Sequence, residues 1–313
     1  MHIAVYLPML APLLAALLAG RFVPRLQPCV AAWLLTVSAV VLAAGSTAAL
    51  GLLVTVGLVR VPLVAAVADL SVRALHRDDI APPALSGMAA IALGAVTMAA
   101  VHAFVRRIQA LMRAAREADR LPGDDQVAVL EDPEVVDAFA LPGRPGRIVI
   151  STGMLATLDP DGQRALLAHE RAHLRHRHHW FVTATQLAAA ANPLLRPLAR
   201  LLDYTLERWA DEEAARTTGD RSLVARAIAR AALAKKSSGT IPTALGLGIT
   251  GSANASALAG AGPVPRRVAA LLAPPPDRRW LIIFAVVAVL LMTSGALLDA
   301  TVDFHTLIEG AQA

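Results

Sequence analysis

A mainly α-helical integral membrane protein, with four membrane-crossing helices and one water-facing α+β domain containing a small β-hairpin or sheet, is the fold class this sequence predicts. Three observations lead there. Of 313 residues, 56% are hydrophobic and only 17% charged, against about 25% charged in ordinary soluble domains. The deficit shows in four strongly apolar runs without Asp, Glu, Lys or Arg, at residues 1–20, 26–59, 80–105 and 280–298, and a helix needs about 20 apolar residues to cross a bilayer. Between the third and fourth runs, residues 106–279 return to the composition of a water-facing domain, long enough for one core.

The spans are expected at about residues 2–20, 31–58, 84–105 and 280–299, followed by a short extracytoplasmic tail, 300–313. The first run has no positive stretch before it, and an Arg-bearing turn and another span follow, which favours a crossing over a cleaved signal peptide. The run 26–59 exceeds one crossing and is counted once, its Gly45, Ser46, Thr47 and Gly51 suiting tilt or close helix packing. Arg21 and Arg25 follow the first span, and Arg106, Arg107, Arg113 and Arg116 follow the third. Positive loops stay inside, so the domain is placed in the cytoplasm and both termini outside, although Arg73 and Arg77 in the second loop weigh against it.

Within the domain, residues 106–120 read as a basic helix. Short apolar stretches over 126–151, separated by DP and LPGRPG, suggest a small hairpin. Asp159, Pro160 and Asp161 supply a cap, a first-turn proline and a first-turn acid for a helix running to about residue 179. A second helix is expected over 197–218 with Gly219 as its stop. Residues 180–195, interrupted by Asn192-Pro193, read as a hydrophobic turn against the membrane, with a re-entrant hairpin as the alternative. Residues 237–265, rich in Gly, Ala, Ser and Thr, suggest a mobile loop before a short helix, 266–272.

The net charge is +5, yet no basic stripe interleaved with aromatics appears, so direct nucleic-acid binding is not expected. The single cysteine, Cys29, excludes an internal disulfide and a four-cysteine zinc site. Any metal site must therefore use His and carboxylates.

One motif meets that requirement: HERAH at 169–173. Four residues rise about 6 Å along a helix, so His169 and His173 share a face and can converge on one ion. Glu170 is rotated about 100° from that face, which suits it to proton transfer rather than ligation. Downstream, LERWADEEAA places Glu207 and Asp211 one turn apart. An open catalytic zinc site takes His, His, Glu and water, and a ligating His commonly donates its second N–H to a carboxylate. Glu207 is the expected ligand, Asp211 its partner behind His169 or His173, and one Zn2+ per chain the expected cofactor. Glu212 and Glu213 read as a solvated acidic face. His176, His178 and His179, beside Arg175 and Arg177, read as a basic helix end at the membrane interface.

The segments DAFALPGRPGRIVIST, LLAHERAHLRHRH and ERWAD together resemble the integral-membrane gluzincin peptidases, and the layout resembles the BlaR/MecR antirepressor family. The resemblance implies a zincin-like metalloendopeptidase domain, zinc on His169, His173 and Glu207, and Glu170 as catalytic base. It also implies that Asp137, Ala138, Phe139, Ala140 and Leu141 form an edge strand on which substrate backbone pairs. The implied function is cleavage of a cytoplasmic protein, with a winged-helix repressor as one candidate substrate, in a multi-pass protein of the cell membrane. Only about fourteen residues follow the last span, so an extracellular penicillin-binding domain is not expected, and a signal is expected through the spans, the short outer loops or a separate sensor protein. HtpX and CAAX prenyl-protease types share the zinc motifs and a His at the position of His178. They imply quality control or maturation of membrane proteins instead. A non-enzymatic, zinc-stabilised transducer is the remaining alternative. Arg208, His176 and His178 are candidates for oxyanion stabilisation by nearness in sequence.

Overall fold

The computed structural model describes residues 6–61, 64, 82–121, 126–237, 263–275 and 279–312. Its architecture is mainly helical with one small sheet. Helix α1 spans Leu7–Phe22, α2 Pro28–Val59 and α3 Pro83–Arg120, each with proline in its first turn, where the missing N–H has no intrahelical partner to lose. The long run over 26–59 is one continuous helix. Helix α3 carries the third apolar run and the basic stretch 106–120 without interruption, since no Gly or Pro falls after Gly94 to stop it. The expected boundary at 105/106 is therefore not a break in the chain. The second loop's arginines, Arg73 and Arg77, lie outside the described residues, as does most of the expected loop over 237–265.

A three-stranded sheet follows, β1 (Val127–Leu130), β2 (Ala138–Leu141) and β3 (Arg147–Ser151), in the order β1-β3-β2. Strands β2 and β3 make the expected antiparallel hairpin. The stretch around residue 127 adds a third strand parallel to β3, so β3 is central and buried along its length and β2 lies at an edge. After the short helix α4 (Thr152–Thr157), helix α5 (Pro160–Arg175) starts where Asp159 accepts from the Gly162 N–H at 2.8 Å. It stops four residues before the expected end, because Arg177 takes a left-handed backbone conformation, φ 51°.

Residues 180–195, expected as a turn, belong mostly to a helix, α6 (His178–Ala191), that ends in a 3-10 turn, Pro193–Leu195. Helix α7 (Arg196–Thr218) returns and stops at Gly219, φ 73°, where a residue without Cβ is favoured. The α6–α7 hairpin runs along α2. Trp33 meets Phe181 with ring centroids 4.8 Å apart, Thr185 donates to Thr36 at 3.4 Å, and Asn192 donates to Ser46 at 3.0 Å. From Trp33 to Ser46 is about 20 Å of helix rise. Helices α8 (Arg221–Ser237), α9 (Pro263–Leu272) and α10 (Trp280–Gln312) complete the described elements. The expected tail after residue 300 continues α10 as helix.

Among the described residues, four helices are long and apolar enough to cross a membrane: Leu7–Arg25, Pro28–Val59, Pro83–Arg120 and Trp280–Thr306. Their outer faces expose large apolar side chains such as Ile91, Phe284 and Leu291. The largest core joins these helices to the domain: Leu35, Ala39 and Leu42 of α2 pack with Phe181 and Val182 of α6 and Leu198, Leu202 and Trp209 of α7. A second core of α5, α7, α8 and α9 lies beside it, built on Ala168, Ala214, Val224 and Leu271. The sheet is covered on one side by Ala114 and Ala118 of α3.

Candidate metal centre and active site

The two halves of the site come from α5 and α7, which the second core holds side by side. His169 and His173 stand one turn apart on α5 with Nε2 atoms 3.2 Å apart. Glu207 on α7 presents Oε2 3.5 Å from His169 Nε2 and Oε1 3.6 Å from His173 Nε2. The three side chains offer donor atoms all within 4.8 Å of one another. Ligand atoms about 2.1 Å from a tetrahedral zinc ion lie about 3.4 Å apart, so these spacings fit.

The chemistry of the donors fits as well. Each imidazole turns its other nitrogen to a partner: His169 Nδ1 lies 2.9 Å from Asp211 Oδ1, and His173 Nδ1 lies 2.9 Å from His178 Nδ1. Both Nε2 atoms are thereby free to face one cation. Arg267 of α9 completes the centre, with Nε and Nη2 on the two Asp211 oxygens at 2.7 and 2.6 Å and Nη1 2.9 Å from Glu207 Oε2. Two carboxylates, the buried Asp211 and the partly buried Glu207, thus contact one guanidinium, and the buried Glu170 adds a third acidic group to its surroundings.

That excess of negative charge governs the protonation of the centre. Burial opposes charge on His169, but its contacts to Asp211 and Glu207 outweigh burial and raise its pKa to about 10. Burial lowers His173 to about 4, so the pair does not hold two protons. For Glu207 and Asp211 burial works against ionisation, yet Arg267 and the histidines hold both carboxylates below their ordinary range. The proton affinity of His169 marks a place where a cation between it and the carboxylates is favoured. Glu170 differs: burial pushes it up to about 7, with Glu207 and Asp137 adding to the rise and His169 and Arg267 opposing it. A carboxyl group poised near neutrality can take and return a proton.

Strand β2 runs beside α5. Ser151 N–H donates to the Asp137 carbonyl at 3.0 Å, and Ile148, which pairs with Ala140, turns its N–H to Gln126 beside β1 at 2.8 Å. By the two-residue alternation of an antiparallel ladder, Ala138 and Ala140 turn their backbone groups away from β3, toward the open edge. The Ala138 N–H is taken by Asp137 Oδ1 at 3.0 Å, which leaves the Ala138 carbonyl and both backbone groups of Ala140 facing outward. Phe139 and Leu141 pair inward. Lys235 of α8 holds Asp137 at 2.7 Å, at the start of the strand.

Other expectations move. His178 is buried behind His173 rather than sitting at an exposed basic helix end, and His176 stacks on Trp209 with ring centroids 4.7 Å apart. Arg208 donates to the Pro24 carbonyl at 3.2 Å. Glu212 pairs with Arg221 and Glu213 with Arg216 at 2.6 Å, replacing the solvated acidic face. Arg267, 56 residues from Asp211, has no local motif that could announce it. The only hint in the sequence is an arginine set into the apolar stretch PVPRRVAALL.

Residues 102–191 match Peptidase family M48. The matched stretch, under a third of the chain, covers the sheet, α4, α5 and α6, and includes His169, Glu170 and His173. No curated protein and no solved structure matches the chain.

Proposed function

We propose that this protein is a membrane-bound zinc endopeptidase. The observation that carries the reading is the convergence of His169, His173 and Glu207 on one point beside the buried carboxyl group of Glu170, on a stretch similar to a metallopeptidase family. His169, His173 and Glu207 would hold the ion. A bound zinc ion supplies Lewis-acid polarisation of the scissile carbonyl and acidifies attacking water. Glu170 takes the proton from that water and passes it to the leaving amide nitrogen. The open edge of β2 lays an extended substrate alongside by backbone pairing at Ala138 and Ala140.

The substrate we propose is a cytoplasmic protein, as in antirepression of a transcriptional repressor. A second reading, maturation or quality control of membrane proteins, gains support from the core that α6 and α7 share with the apolar helices α1 and α2, which would keep the centre near a bilayer surface if those helices cross one.

The test is Glu170→Gln. The amide fits the space but does not act as a base near neutral pH, so zinc content should match wild type while cleavage falls by at least ~10²-fold, the lower range for general-base catalysis. Cleavage at the wild-type rate would remove Glu170 from the mechanism and favour a zinc-stabilised transducer. The protein that accumulates uncut in cells carrying the variant identifies the substrate: a repressor supports the first reading, a membrane protein the second.

A further inference from the structure

We infer that His178 is a positioning residue for zinc binding: its Nδ1 accepts a hydrogen bond from His173 and thereby fixes which nitrogen of His173 faces the ion. The inference rests on the metallopeptidase reading and adds to it a residue outside the HExxH and Glu ligand set.

The geometry leaves one consistent proton arrangement. For His173 Nε2 to offer a lone pair at the centre, its Nδ1 must carry the proton, because a neutral imidazole has one donor and one acceptor. The atom 2.9 Å from that Nδ1 is His178 Nδ1, which must then accept. The His178 proton goes to Nε2, a buried atom with no hydrogen-bond partner among the described residues. Leaving a buried N–H unpaired is destabilising, because the group gives up its hydrogen bond to water and gains none in return. An apolar side chain of similar shape would avoid that cost, so packing alone is a poor account of a histidine here.

The ring is held on all sides. His178 opens α6 directly after the left-handed turn at Arg177, is 3% exposed, and lies against Trp209 with centroids 4.8 Å apart and Phe181 at 6.4 Å. Those contacts fix its Nδ1 toward His173. The two histidine ligands are consequently supported differently: His169 by a carboxylate that Arg267 clamps, His173 by a neutral imidazole.

The experiment measures zinc affinity of the full-length protein in lipid nanodiscs by competition with a chromophoric chelator, together with the visible spectrum of the cobalt-substituted form and the melting of the metal-free form. His178→Phe keeps the ring and removes the acceptor. His178→Asn keeps an acceptor close to the place of Nδ1. The expected result is a 10- to 100-fold loss of zinc affinity in the Phe variant, the range for groups behind metal ligands, with an altered cobalt spectrum and no loss of metal-free stability. The Asn variant should stay within about 10-fold of wild type, less than the full loss of such a group. Zinc binding by His178→Phe as tight as wild type would overturn the inference, as would equal losses in both variants. Should the Phe variant not fold, the Asn variant decides: loss of zinc binding in a normally melting Asn variant overturns it. Glu207→Gln serves as the control. If it binds zinc as wild type does, or wild type binds none, the metallopeptidase reading fails and takes the inference with it, a pattern distinct from failure at His178 alone.

Discussion

Arg267 shows at the residue scale how the centre is balanced. Its guanidinium is nearly buried between Asp211 and Glu207, and although burial disfavours its charge, the two carboxylates more than compensate and raise its pKa. Removing one partner of a buried ion network leaves the others uncompensated, at a cost of about 3–5 kcal/mol. Arg267→Met should destabilise the metal-free protein by about that amount, and added zinc should recover part of it by supplying positive charge at the same place. Melting curves with and without zinc check this; a metal-free Met variant as stable as wild type would remove Arg267 as the counter-charge. This residue also marks the limit of legibility. His169, Glu170 and His173 are readable because one helical turn fixes their relation, and Glu207 because an acidic pair at helical spacing follows. The partnership of Arg267 with Asp211 depends on α9 folding back across 56 residues, and that of His178 on a left-handed turn at Arg177, a non-glycine residue that carries no signal for it.

At the scale of elements, the edge of β2 makes a prediction that separates substrate binding from folding. The Ala140 N–H points to the open edge, so Ala140→Pro removes a donor offered to substrate without removing one from the β2–β3 ladder. Phe139 pairs inward with Val149, and Phe139→Pro should break the ladder and lower stability. The expected effect of Ala140→Pro is a rise in KM of about 3- to 10-fold, the equivalent of one hydrogen bond of about 0.5–1.5 kcal/mol, with zinc binding and melting near wild type. An unchanged KM would mean that substrate does not pair there. The antiparallel β2–β3 pair was legible from the turn residues between 141 and 147, whereas the parallel partner β1 was not, since its pairing crosses the intervening strand. Helix α7 was read to within one residue because Pro197 and Gly219 bound it. Helix α6 carries no such signal in its sequence: of its 14 residues, the 12 after His179 are uncharged and fall short of a span, and their helical role is set by packing against α2.

For the whole molecule the question is which side of a membrane the proposed catalytic centre would occupy. Helices α1 and α3 pack antiparallel to α2: Gly45 lies beside Pro8, and a side chain at Gly57 would meet Ser86. Ala300 of α10 packs with Ala49, Leu53 and Ala89, so the far ends of all four long helices gather at one level. The other ends meet the α6–α7 hairpin, where Arg208 donates to the Pro24 carbonyl and Arg107 donates to Thr183 at 2.8 Å. If these helices cross a bilayer, α2 crosses once, and three crossings precede the sheet. The arginines after the first and third apolar runs then place the catalytic end in the cytoplasm, since positive loops are retained there. A reporter active only outside the cytoplasm should be silent when fused after Arg116 and active when fused after Glu309. Activity at Arg116 would reverse the orientation, and it would exclude a DNA-bound repressor as direct substrate, because enzyme and substrate would lie on opposite sides of the bilayer. Silence at both positions would leave the centre inside but show that α10 does not cross, and the shared level of Ala300, Ala49 and Ala89 would then need an explanation other than a common outer membrane face.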